Sequence, residues 1–177
     1  MYQFQVSAKQ IIRLHKRFLS LDKDERGYIS RYDLLNIPEL AINPLGERIV
    51  DAFFTAEKEC TDDGRMNFRQ FINVLAHFRP INKKCQNGLN SRESKLRFAF
   101  SMYDLNKNNY ITKEEFKFIL HMMIGSNMTT SEQIDHIAER TLLEADLDRD
   151  GKISFEEFCY AMERTDINQK MSIRFLN

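Results

Sequence analysis

The stretch DLDRDGKISFEE, Asp146 to Glu157, decides how this chain is read. Asp146, Asp148 and Asp150 stand at its positions 1, 3 and 5, Gly151 at position 6, and Glu157 at position 12. A hard divalent cation wants six to eight oxygens, and twelve residues spaced in this way supply them. Three short side chains come first, then the Lys152 carbonyl at position 7, a water held by Ser154 at position 9, and both oxygens of Glu157. Apolar residues at helical spacing frame the stretch, with Ile134, Ile137 and Leu142 before it and Phe155, Phe158 and Met162 after it. The pattern is that of a helix-loop-helix unit whose loop takes Ca²⁺.

Working outward, the same unit recurs about every 40 residues, four times in all. This is the EF-hand arrangement. The third loop, Asp104 to Glu115, offers Asp104, Asn106 and Asn108, the Tyr110 carbonyl, Thr112 and Glu115. Asn109 holds the turn position, and asparagine is the non-glycine residue that best tolerates a positive φ. The third loop carries a ligand charge of −2 (Asp104, Glu115) against −4 in the fourth (Asp146, Asp148, Asp150, Glu157). The third is therefore expected to bind more weakly, and two ions in all are expected, one in each loop.

The first two loops depart from the pattern. In Asp22 to Asp33, Arg26 occupies position 5, where its charge opposes a cation, and Asp33 is one methylene shorter than the glutamate a bidentate ligand needs. In Glu59 to Gln70, Gln70 replaces the closing carboxylate. Both are expected to be metal-free and to survive because paired loops still build a lobe.

The expected fold is all-α: two EF-hand lobes of four helix-loop-helix units, with short β-pairing between loops. Residues 1–78 form the N-terminal pair (loops 22–33 and 59–70). The turn-rich, aperiodic 79–94 is a linker, and 95–177 is the C-terminal pair (loops 104–115 and 146–157) with a tail. Ser7 and Gln10 read as a capping box with Val6 and Ile11 stapled across it, and Pro44 as the first residue of the helix entering the second loop.

Composition narrows the function. The 177 residues are 42% hydrophobic, enough for a real core, and Lys plus Arg balance Asp plus Glu at 26 each. That balance removes the positive field a nucleic-acid partner would call for. Cys60, Cys85 and Cys159 are widely spaced and read as reduced thiols. No run approaches the roughly 18 apolar residues of a membrane span, and the start shows neither a signal peptide nor, with Tyr2 at position two, a myristoylation site. A soluble cytoplasmic protein is expected. His15, His77, His121 and His136 stand alone on helices, and no nucleophile elbow or phosphate loop accompanies them, so no enzyme is expected.

Beyond the loops, five strings resemble the calcineurin B homologous proteins, EF-hand regulatory subunits of plasma-membrane Na⁺/H⁺ exchangers. They are IPELAINPLGERI (Ile37 to Ile49), LAHFRPI (Leu75 to Ile81), LNSRESKLRFAFSMYDL (Leu89 to Leu105), IAERT (Ile137 to Thr141) and QKMSIRFLN (Gln169 to Asn177). That family too is similar in having degenerate first and second loops and working third and fourth ones, whereas calcineurin's own regulatory chain has four competent loops. Two differences stand out: the family begins with a myristoylated glycine and an acidic stretch, and its linker is longer.

The resemblance implies a partner, the juxtamembrane amphipathic helix of an exchanger, whose activity and pH regulation the protein would support. It also implies recruitment to the cytosolic face of the plasma membrane, through the partner alone in this form, with the nucleus a second location. The residues supply a matching feature. Phe98 and Met102 before the third loop, and Phe118 and Met122 after it, form a second apolar stripe, read as a groove for the target helix, with packing against the N-terminal lobe or the tail as the alternative. The tail residues Met171, Phe175 and Leu176 are expected to cover that groove when no target is bound. A B-type regulatory chain or inhibitor of a calcineurin-like phosphatase, held by its catalytic chain, is the alternative partner reading, and a plain calcium buffer the alternative without a partner.

Overall fold

The structure is a computed structural model that describes residues 8–56, 64–76, 91–125 and 129–163. The Ser7 cap with Val6, the start of the second loop (59–63), most of the expected linker and the tail with Met171, Phe175 and Leu176 lie outside these residues.

The first half runs α1 (Ala8–Leu21), β1 (Tyr28–Ser30), α2 (Arg31–Leu35), α3 (Pro38–Ala41), α4 (Gly46–Ala56), β2 (Arg65–Asn67) and α5 (Phe68–Ala76). The second runs α6 (Arg92–Tyr103), β3 (Tyr110–Thr112), α7 (Lys113–Ile124), α8 (Ser131–Ala145), β4 (Lys152–Ser154) and α9 (Phe155–Ala161). The expected all-α fold with short pairing between loops is what is found.

Each half joins two loops through a three-residue antiparallel pair. β1 meets β2 with Ile29 opposite Met66, and β3 meets β4 with Ile111 opposite Ile153. These four residues occupy position 8 of their loops and are buried in the two cores. Each such burial stabilises by roughly 1.5–3 kcal/mol, so the pairs pin the loops together as well as aligning them.

Two local breaks distinguish the first half. Pro38 cannot continue α2, so the chain restarts as α3 and then turns through Asn43 into α4. The helix begins at Gly46 and not at Pro44, because the Asn43 side chain accepts from the Leu45 amide and its carbonyl from Gly46 N–H at 2.8 Å. Any side chain at position 46 would drive its Cβ into the Leu40 carbonyl oxygen, which makes this glycine a packing requirement.

Two clusters of buried side chains form the cores, and α6 belongs to both. Leu96 and Phe100 pack with Ile111, Ala145, Ile153 and Phe158, while Phe98 is enclosed with Val50, Phe53, Met66 and Leu34 of the first half. The Phe98 ring lies 5.7 Å from that of Phe53. Met102 packs half-buried on the same cluster, and Arg48 of α4 donates from Nε to the Met102 carbonyl (3.1 Å) and from Nη2 to that of Ser101 (3.3 Å). The groove expected of Phe98 and Met102 is thus not there. Their stripe is real, but it is spent on the other lobe, since a helix with two apolar stripes packs on two sides. Of the four residues, Phe118 remains exposed and Met122 half-buried on α7. The expected linker is also trimmed, because Arg92 to Ser94 already form the first turn of α6, capped by Ser91.

Candidate metal centre

Loop four gathers three of its four predicted carboxylates, with Asp150 outside the group. One carboxylate oxygen from each of Asp146, Asp148 and Glu157 lies within 4.8 Å of the others. The backbone holds them there. Asp146 accepts from the amides of Arg149 (2.6 Å), Asp150 (3.2 Å) and Gly151 (2.8 Å), Asp148 from Asp150 (3.1 Å), and Asp150 from Lys152 (2.9 Å). Arg149 at φ 62° and Gly151 at φ 82° make the turn that aims those amides inward.

Glu157 has two tasks. Its Oε2 accepts from the Ser154 amide and hydroxyl, both at 2.8 Å, while its Oε1 reaches back ten residues to the Leu147 amide at 2.7 Å. As the third residue of α9 it completes the capping box with Ser154, so the residue that closes the loop also starts the exiting helix. The position-9 hydroxyl is therefore engaged in the cap, a role beyond the water-holding one expected for it.

Loop three repeats this design. Asp104 accepts from Asn108 (3.1 Å) and Asn109 (2.9 Å), Asn106 from Asn108 (3.0 Å), and Asn108 from Tyr110 (2.9 Å). Glu115 Oε1 reaches the Leu105 and Asn106 amides at 3.0 and 3.1 Å, and its Oε2 completes the box with Thr112. Asn109 takes φ 66°, as its tolerance for the left-handed region predicts. Between the two loops Lys152 sits 5.3 Å over the Tyr110 ring, an exposed cation–π contact beside the two backbone carbonyls predicted as ligands.

Electrostatics favour a cation in loop four. The Asp150 amide stabilises the Asp148 carboxylate, but some loss of hydration and the carboxylates of Asp150, Glu157 and Asp146 outweigh it and raise the Asp148 pKa. A divalent ion would relieve that repulsion. Burial likewise works against charge on Glu115 and Glu157, yet the Thr112 and Ser154 donors and the amides at each loop's start hold both below the ordinary glutamate value. Both enter the loop as ready carboxylates.

Residues 93–163 match the family model described as an EF-hand domain pair. The calcineurin B protein of Naegleria gruberi, a calcineurin subunit, is 42% identical over 168 residues, which is 95% of this chain and 87% of that protein. The chain belongs to the calcineurin B-like EF-hand family.

A calcineurin B-like EF-hand protein binds Ca²⁺, and the donor set here fits that ion: hard oxygens, clustered charge and a preset turn. In loop two, the described part shows Gly64 at φ 66° and Gln70 in the place of Glu157. The Gln70 amide oxygen accepts from Asn67 N–H at 2.7 Å while Gln70 N–H donates back to Asn67 at 3.0 Å, so its cap survives without a carboxylate. Sequence reasoning missed Arg48, whose clasp on the end of α6 sits directly before Asp104. Its position within Ile37 to Ile49 was its only trace.

Proposed function

We propose that this calcium-binding regulatory protein of calcineurin B type holds two Ca²⁺ ions, in loops three and four. In this reading the ligands are Asp104, Asn106, Asn108, the Tyr110 carbonyl and Glu115, then Asp146, Asp148, Asp150, the Lys152 carbonyl and Glu157. The loaded protein holds an amphipathic helix of another protein against its C-terminal lobe. The observation that carries the target-binding reading is Phe118, 51% exposed on a helix that buries the adjacent Ile119, with Met122 one turn beyond it.

For the partner, the strings outside the metal loops and the ion-poor first lobe support the juxtamembrane helix of a Na⁺/H⁺ exchanger, with the protein cytoplasmic and drawn to the membrane by that helix. Among the described residues no helix is long and apolar enough to cross a membrane. The second reading, the helix of a calcineurin-like catalytic chain, is supported by the 42% identity to the Naegleria calcineurin B protein. Either way the role is regulatory and not catalytic.

Calorimetric titration of the Ca²⁺-loaded chain with each helix as a peptide, repeated with Glu157→Gln, tests the reading. Binding of the exchanger peptide that weakens in the variant supports it, and binding of the phosphatase peptide alone moves the partner to the second reading. Binding of neither makes the protein a buffer and the reading wrong.

A further inference from the structure

Loop one has the posture of a loaded loop. Asp22 at position 1 is buried, with its side chain only 1% exposed, and accepts from the amides at positions 5 and 6, Arg26 (2.9 Å) and Gly27 (2.7 Å), as Asp104 and Asp146 do in theirs. Asp33 at position 12 completes a capping box with Ser30, as Glu115 and Glu157 do. What differs is reach. The glutamates span the loop with a second oxygen, whereas the bonds of Asp33 end at Ser30 and Arg26.

Arg26 crosses the gap that the missing methylene leaves. Its Nη2 donates to Asp33 Oδ2 at 2.6 Å, and its Nε lies 3.7 Å from both Asp22 Oδ1 and Asp24 Oδ2. Positions 1, 3 and 12, three of the carboxylate positions of a metal loop, thus converge on one guanidinium. The group is itself positioned, 5.0 Å over the Tyr28 ring, which Arg65 of the neighbouring strand also covers at 4.7 Å. Burial disfavours the Asp33 charge, but the Ser30 donors and Arg26 together keep its pKa below the ordinary aspartate value.

We propose that Arg26 is the resident cation of loop one: its guanidinium takes the charge-balancing place that Ca²⁺ takes in loops three and four, and it locks the first lobe independently of calcium. A buried carboxylate such as Asp22 needs a compensating charge or donors, and a planar fork with five N–H groups suits three converging carboxylates better than an ammonium would. Calcium then acts on one lobe only, while the other is a fixed platform that holds Phe98 of α6. The lock works the same way whichever partner the protein serves.

Amide hydrogen exchange on the full chain tests it, comparing saturating Ca²⁺ with excess chelator. In the wild type, chelation leaves the Tyr28–Ser30 and Arg65–Asn67 amides unchanged while Tyr110–Thr112 and Lys152–Ser154 exchange about tenfold faster. Arg26→Gln speeds the first pair about tenfold in both conditions, with Arg26→Lys between the two. Arg26→Asp combined with Asp33→Glu regains protection only when Ca²⁺ is present, and binds one more ion than the wild type. Faster exchange of the first pair on chelation in the wild type overturns the proposal, as does an Arg26→Gln chain whose first pair is unmoved. If Arg26→Gln fails to fold, the wild-type comparison still decides.

Discussion

Loops one and four fold the same turn around opposite charge problems. In loop four Asp146, Asp148 and Glu157 crowd together with Asp150 nearby and no ion pair to a basic side chain among the described residues, and the repulsion shows in the raised pKa of Asp148. In loop one three carboxylates meet Arg26, and Asp33 is depressed instead. The backbone amides and capping boxes are nearly superposable in role. Loops four and one therefore differ little in fold and greatly in what is left unbalanced. On the proposed reading, unbalanced charge, not the turn, is what separates a calcium site from an empty loop.

The largest effect that sharpens this contrast comes from the helix joining the lobes. Phe98→Ala empties a buried site of the first core and is expected to cost about 3–5 kcal/mol in urea denaturation. A loss under about 1 kcal/mol, well below the usual cost of an emptied core site, together with weakened target binding, would return Phe98 to the groove. Next comes Glu157→Gln, which removes a ligand charge and the tie to Leu147. Calorimetry should show Ca²⁺ affinity at loop four falling by roughly two orders of magnitude.

Smaller is the effect of adding charge where loop three lacks it. Asn108→Asp raises its ligand charge to −3 without changing shape, and single-site titrations should show affinity rising about tenfold toward that of loop four. Smallest is a pH effect in loop one. The Asp33 pKa is lowered in the folded state, so its contribution is full above the ordinary aspartate value and is lost as pH falls through the depressed one. The stability gap between wild type and Asp33→Asn should hold from neutral pH to about 4 and close below that.

The loops were legible because ligand spacing and turn chemistry are local. Asp104, Asp146 and both closing glutamates stand where their positions placed them, and Asn109 takes the predicted φ. Short pairing between loops followed from the repeat, and the structure sets Ile29 opposite Met66 and Ile111 opposite Ile153. What periodicity could not say is what an apolar stripe meets. Phe98 and Met102 fitted a groove and a lobe contact alike, because their partners, Phe53 and Arg48, lie some 50 residues away in the chain. Lys95, fully buried on the same helix, had no signal at all, since lysine in a helical pattern reads as solvated. Arg26 was legible as an obstacle to metal but not as its substitute, which only the distances to Asp22, Asp24 and Asp33 reveal.

Calorimetric titration of the metal-free chain with Ca²⁺, following the loop amides by NMR in the same samples, tests the asymmetry most directly. Two ions per chain are expected, with large shifts at Gly151 and Asn109 and none at Gly27. A third or fourth ion, or a shift at Gly27 that saturates with the others, would contradict it.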